Sequence, residues 1–260
     1  MTKKTLPLKY LALILIAFGL LVFTAVTGTL AEPNIQSDVQ TSNMEMKQIG
    51  VSLQKKNNSS EDFTSIAKIE YNGSWVTDVS DLFANTTAGA GKTIPVQLRV
   101  YNNGNIGEFV RVTVYKYWVD ENGKKRFDLD PGFIQIDKNG ISENWLVDSE
   151  SDEKTVMYYN TMLSPEQASE IFMNGISIDG KIKNEYEKTV DEYKEGNKTY
   201  TRTTYSYAYD GKQFKINVEV DAVQDHHAED AIKSSWGKKV TINEIKDADG
   251  NVIAKTLSLS

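Results

Sequence analysis

Ile94-Pro-Val-Gln-Leu-Arg-Val-Tyr101, then Asn102-Asn103-Gly104-Asn105, then Phe109-Val-Arg-Val-Thr-Val-Tyr-Lys-Tyr-Trp-Val119 is the stretch that decides the fold class. Both runs are built from β-branched and aromatic residues, the strongest strand formers, with a turn-forming Asn/Gly segment between them. In the second run Val110, Val112 and Val114 alternate with Arg111, Thr113 and Tyr115. Period-two geometry therefore places the three valines on one face of a strand. Upstream, Ile49, Val51 and Leu53 alternate with small or polar residues. Downstream, Asn122-Gly123 reads as a type I′ hairpin turn leading into a strand from Arg126 to Ile136. Asp210-Gly211 precedes Phe214 to Val220, and Asp249-Gly250 separates Val240–Ile245 from Val252–Leu257 as a terminal hairpin. Short strands at this spacing predict an all-β fold, a jelly-roll-like antiparallel β-sandwich.

Two short helices are expected among the strands. Ser164-Pro165-Glu166-Gln167 has the features of a helix start, with Ser as N-cap, Pro at the first position and Gln closing a capping box. Ala168, Ile171 and Phe172 follow at helical spacing. The second helix is expected from about Asp225 to Trp236, stopped by Gly237. Between them, residues 181–209 are dense in Lys, Glu, Thr and Tyr around Lys194-Glu195-Gly196-Asn197. This reads as a long exposed hairpin inserted into the sandwich, with a disordered linker as the alternative.

The first 31 residues have the three-part layout of a secretory signal. Lys3, Lys4 and Lys9 precede an uncharged apolar core from Leu11 to Val26, and Thr29-Leu30-Ala31 offers a cleavage site between Ala31 and Glu32. The competing reading is an uncleaved membrane anchor, because the run from Tyr10 to Ala31 is long enough to span a bilayer. Under either reading the rest of the chain is exported. The expected organisation is a signal or anchor at 1–31, an extended leader at 32–47, and a β-sandwich domain at 48–260 carrying the 181–209 insertion.

The full chain of 260 residues has a net charge of −7, and loss of the three lysines of the signal takes it to −10. Nucleic-acid binding needs a basic face that releases counterions, and this acidic balance argues against that class of partner. Acidity suits solubility outside the cell instead. No cysteine is present. A hydrophobic core, and not disulfides, must stabilise the exported part, and its length suffices to bury one.

Catalytic patterns are sparse. Gly89-Ala90-Gly91-Lys92-Thr93 resembles the end of a phosphate-binding loop, but Thr86 stands where that pattern needs glycine, and a strand follows where it needs a helix. Asp225-His226-His227-Ala228-Glu229-Asp230 holds the only histidines. Its candidate metal ligands are His226, His227, Glu229 and Asp230. Adjacent histidines on a helix diverge by about 100°, whereas His226 and Asp230 at i,i+4 could meet. The zinc-protease pattern His-Glu-x-x-His is absent. A solvated helix start, with acids near the positive end of the dipole, is the competing reading. No glycine elbow surrounds any serine. Neither a cofactor nor a catalytic group is expected.

Four segments together resemble a known family. They are Thr27-Gly28-Thr29-Leu30-Ala31 with Ile49-Gly50-Val51-Ser52-Leu53; Lys92-Thr93-Ile94-Pro95-Val96 through Asn102-Asn103-Gly104-Asn105 to Val110-Arg111-Val112; Trp145 with Met157 to Pro165 and Ile171-Phe172; and Val218 to Gln224 followed by Ala228, Ala231 and Trp236. In this order they resemble the TasA–camelysin family of exported fibre and biofilm-matrix proteins of Gram-positive bacteria. The chain departs from the family at Glu32-Pro33-Asn34, where an aromatic pair is usual, and at Pro165-Glu166, where Pro-Gly is common.

The resemblance implies a secreted structural subunit, at the cell surface or in the extracellular matrix, processed by a signal peptidase. Copies of itself, with sibling matrix proteins, would be its partners, and the membrane would be touched only through the signal. It further implies coupling by donor-strand addition, in which the freed leader adds to the next subunit. Here that leader is Glu32 to Met46, offering Ile35, Val39, Met44 and Met46 to apolar pockets. Its alternation is imperfect, and a disordered leader is the alternative. Two other functions stay open: a camelysin-like surface metallopeptidase using the histidine cluster, and a monomeric adhesin or binding module using Tyr200, Tyr205, Tyr207 and Tyr209.

Overall fold

The computed structural model describes residues 48–57, 62–66, 69–71, 74–80 and 90–260. The signal segment, the cleavage site Ala31–Glu32 and the leader with Ile35, Val39, Met44 and Met46 lie outside the described residues. In chain order the strands are β1 (Val51–Asn57), β2 (Thr64–Ser65), β3 (Ile69–Tyr71), β4 (Ser74–Asp78), β5 (Thr93–Asn102), β6 (Glu108–Val119), β7 (Ile134–Asp137) and β8 (Trp145–Glu150). They continue with β9 (Lys154–Tyr159), β10 (Met173–Ile178), β11 (Tyr186–Glu195), β12 (Lys198–Tyr207), β13 (Gln213–Gln224), β14 (Val240–Lys246) and β15 (Val252–Leu259). Among the described residues a single α-helix, α1 (Ala228–Trp236), lies between β13 and β14. Among the described residues no helix is long and apolar enough to cross a membrane.

Two antiparallel sheets enclose the main core. One has the order β2-β1-β5-β10-β7 and the other β3-β4-β13-β6-β9-β8. Successive strands cross repeatedly from one sheet to the other, as in a jelly roll. The alternation read from the sequence governs which side chains go inside. Val110, Val112 and Val114 of β6 are fully buried with Leu53 of β1, Leu98 and Val100 of β5, and Ile216 and Val218 of β13. Each such side chain contributes about 1.5–3 kcal/mol when taken out of water. Strands β6 and β13 pair along their whole length, from Gln213↔Val119 to Gln224↔Glu108, which sets Val218 opposite Val114 and Val220 opposite Val112.

Outward residues of β6, β9 and β13 meet a second core. Phe109, Val156, Tyr158 and Val223 are covered by Ala228 and Ile232 of α1 and by Val240 and Leu257 of the β14–β15 hairpin. The hairpin is tied on through Leu257 N–H to Asn160 O and Met162 N–H to Lys255 O. Helix α1 ends as expected, with Gly237 in the left-handed region (φ 66°) and its N–H donating to Lys233 O. It starts later than expected, because His227 adopts φ 52° and breaks the helical path before Ala228.

Three further expectations are corrected. No helix forms at Ser164–Phe172. Pro165 and Glu166 make a turn closed by Gln167 N–H to Ser164 O, with Glu166 at φ 61°. The next residues run beside β5, where Asn102 donates to Gln167 O, Ser169 to Val100 O, and Phe172 to Leu98 O. A helix would withdraw those backbone groups from the sheet, and Phe172, fully buried, would leave the core. The turn at Asn122-Gly123 is not type I′, since only Gly123 has positive φ. Asp120 O accepts from Gly123 N–H, while its carboxylate accepts from the Asn122 and Lys124 N–H groups. The strand expected from Arg126 to Ile136 is shorter. An Asp130-capped 3-10 turn at Pro131–Phe133 precedes β7, and only Ile134–Asp137 is strand.

Candidate functional site

Strand β13 is central in its sheet, yet among the described residues its two edges are unequally paired. Its β6 side is paired over all twelve residues, whereas β4 pairs with the other side only at Asn217↔Asp78 and Val218↔Thr77. Val79 N–H to Ile216 O, and Ile216 N–H to Ser80 Oγ, cover the edge just upstream. From Glu219 to Gln224, about 20 Å of strand, no strand among the described residues pairs with that edge. Val220 on this stretch is 8% exposed and Ala222 packs against the main core. Among the described residues an apolar floor therefore lies beneath a backbone edge with no strand partner, which is what an added strand needs.

The amino-terminal segment enters the sandwich at the same end. Residues Gln48 to Gly50, ahead of β1, are clasped by the Asn102–Glu108 loop. Gln48 N–H donates to Asn105 Oδ1 (2.6 Å) and Asn105 N–H returns a bond to Gln48 O (3.1 Å). Asn103 and Gly104 N–H both donate to Gly50 O. Gly104 has no room for a side chain, since a Cβ would collide with Gln48 O and come within 2.8 Å of Glu108 Oε1. Asn102 is wholly buried and holds the loop, its amide donating to Ile106 O and Leu163 O.

Glu108 lies at the centre of this clasp. It is fully buried, its Oε1 accepts from Gly50 N–H at 2.6 Å, and its Oε2 has no hydrogen-bond partner among the described residues. Burial pushes its carboxyl up to about 7, against the Gly50 hydrogen bond, which acts to lower it. Glu108 is the register partner of Gln224, and Asp225 N–H donates to Gly107 O. Gln48–Gly50 are thus tied to the end of β6 that pairs with the carboxyl end of β13. No local pattern marks the role of Glu108, because an acid heading a strand reads as solvated. The nearby Gly50 and Gly104 were the only available signal.

The opposite face of β13 is held by charge. Arg111 Nε and Nη2 donate to Asp221 Oδ2 at 3.0 and 2.6 Å, with the guanidinium 5.2 Å from the Trp236 ring centre. This pair links β6, β13 and the end of α1. It was legible in part, since Val110 and Val112 facing inward force Arg111 outward.

The histidine cluster does not assemble as a continuous helix would have it. His226 and His227 are exposed, with ring centres 4.1 Å apart and edge-on. Both precede α1, so the helical i,i+4 relation of His226 to Asp230 is not formed. Glu229 turns away to accept from Ile242 N–H at 2.7 Å, fixing α1 to β14. Asp230 is exposed. Among the described residues no group of three His, Asp or Glu side chains is placed to hold a metal ion. An open recess of about 500 Å³ lies elsewhere, beside Arg99, Phe63 and Glu170. There the Arg99 guanidinium stacks 3.8 Å from the Phe63 ring centre and donates to Gln54 Oε1.

Of the tyrosines named as binding groups, Tyr200, Tyr205 and Tyr207 stand exposed on the β11–β12 ribbon. Tyr209 does not. It packs edge-on against Trp118 and Phe133, and its hydroxyl accepts from Asp130 N–H. No family model, no curated protein and no solved structure matches the chain.

Proposed function

We propose that the protein is an exported structural subunit of extracellular fibres or matrix, whose copies join when the amino-terminal segment of one adds as a strand to the next. The reading takes its family from the TasA–camelysin resemblance. The observation that carries it is the Glu219–Gln224 edge of β13, which no strand among the described residues pairs and under which Val220 and Ala222 face the main core. Glu32 to Met46, fully extended, reaches roughly 50 Å, enough to lie along that edge and still bridge to a neighbour. Backbone pairing would supply affinity, and Ile35, Val39, Met44 and Met46 would supply side chains for the apolar floor. Cleavage between Ala31 and Glu32 frees the segment from the membrane, so assembly waits for processing.

Deletion of Glu32–Met46 from the exported protein tests this. Electron microscopy should show fibres from the intact mature chain and soluble, folded monomers from the deletion. Fibres from both, or from neither under any condition, would overturn the reading. Changing Ile35 and Val39 together to Asp should weaken assembly similarly, because burying an unpaired charge is costly. A second reading, a surface binding module, is favoured by one observation: the β11–β12 ribbon is exposed along its whole length.

A further inference from the structure

The inserted ribbon is a ladder of ten consecutive pairs, from Tyr186↔Tyr207 to Glu195↔Lys198, and among the described residues its two strands pair only with each other. Every one of its strand residues is exposed, including Val190 at 54% and Tyr186 at 47%. Its base is fixed to the sandwich, by Ile182 on one side and Tyr209 on the other. An uncovered two-stranded ribbon is marginally stable in water, and each of its strands leaves alternate N–H and C=O groups on an open edge.

The two edges differ in charge. Strand β12 carries Lys198 and Arg202 and no acid, so copies of it repel. Strand β11 carries both signs, and on one face it presents Tyr186, Lys188, Val190, Glu192 and Lys194 in turn. That face is self-complementary about Val190. In a two-fold antiparallel pair a residue must face its own copy on the axis. With Val190 on the axis, Lys188 faces Glu192 of the second copy, twice by symmetry, and Tyr186 faces Lys194. Moving the axis to Thr189 sets Glu187 against Asp191. Moving it to Asp191 sets Lys188 against Lys194 and Glu187 against Glu195. An axis at Lys188 or Glu192 puts like charges directly opposite. Among the described residues no ion pair within the chain uses Lys188 or Glu192.

We propose that β11 pairs antiparallel with β11 of a second copy, Val190 on the two-fold axis, to form a four-stranded sheet β12-β11-β11-β12 between two subunits. The interface is isologous and closes at two copies. The ribbons point in opposite directions, so the two sandwiches lie at opposite ends of the shared sheet. This contact is independent of the amino-terminal coupling, and in a fibre it would join strands laterally.

The test uses the whole chain, expressed with its leader and purified after export, or in mild detergent if the apolar segment is retained. The natural chain has no cysteine, so any disulfide formed by a single introduced thiol is intermolecular. Facing residues of an antiparallel pair lie about 4.5–5.5 Å apart at Cα, within disulfide range. Val190→Cys should therefore form a covalent dimer on air oxidation, and Thr203→Cys, its register partner on β12, should not. In sedimentation, Lys188→Glu or Glu192→Lys should each weaken dimerisation about tenfold, by replacing two attractive pairs with two repulsive ones. The double swap Lys188→Glu with Glu192→Lys should restore it. Inside the hairpin these residues face Tyr205 and Thr201, so the swap leaves intrachain charge pairs untouched. Equal trapping at both cysteine positions, a double variant no better than the singles, or a monomer at all concentrations would overturn the proposal. The Glu32–Met46 deletion must leave trapping at position 190 intact, which separates this contact from the leader.

Discussion

Raising the pH from 4.5 through about 7 is expected to destabilise the folded protein through one side chain, Glu108. In the native state its carboxyl titrates near 7, while the ordinary value is 4.5. Between those values the folded chain holds a proton that the unfolded chain has released, so stability falls as pH rises. Each pKa unit corresponds to about 1.4 kcal/mol, giving a loss on the order of 3 kcal/mol once the pH exceeds 7. The physical source is the fully buried carboxylate, with one oxygen bonded to Gly50 N–H and the other lacking a partner among the described residues. Glu108→Gln keeps an acceptor for Gly50 but does not titrate. Its buried amide costs about 1–3 kcal/mol if it goes unpaired, and that cost does not vary with pH. Urea denaturation of both proteins between pH 4.5 and 8, at constant ionic strength, isolates the effect, because every other carboxylate contributes equally to both. The stability of the natural chain relative to the variant should fall by on the order of 3 kcal/mol across this window. Parallel pH profiles would refute the burial of an ionisable Glu108 in the clasp.

Two other substitutions probe neighbouring features. Gly104→Ala should destabilise the domain by about 1–3 kcal/mol in the same assay, because its Cβ would meet Gln48 O and the Glu108 carboxylate. Replacing His226 and His227 together by Ala should change stability by less than about 0.5 kcal/mol and leave assembly intact, since both side chains are exposed. Stoichiometric zinc lost with proteolytic activity in that double variant would instead establish a metallopeptidase.

Local pattern carried the sandwich well wherever one face of a strand is apolar. Val110, Val112 and Val114 point inward as their alternation requires, and Phe109, Arg111 and Thr113 point outward. Gly237 stops its helix for the reason its position suggests. Ser164-Pro165-Glu166-Gln167 misled because Pro165 suits a turn as well as a first helical residue. Long-range pairing with Leu98, Val100 and Asn102 decided between them, and no local signal reports that. The helix start near Asp225 failed similarly, since Asp225 N–H is bonded to Gly107 O across the sheet. Strand order is a property of the folded chain, so neither the short β4 pairing on β13 nor the burial of Glu108 could be read from residues far apart in sequence.

Placing the leader on the open edge of a different copy is the central claim, and the absence of natural cysteine allows a direct measurement. Two single variants, Val39→Cys in the leader and Ala222→Cys on the β13 edge, would be mixed after export, allowed to assemble, and oxidised. The account predicts a covalent dimer containing one chain of each variant, formed only in assembled material and well above the yield of either variant alone. With both substitutions in one chain, oxidation should give a ladder of linked subunits. A disulfide closed within single chains, with no ladder and no mixed dimer, would contradict the account by showing that the segment completes its own sandwich.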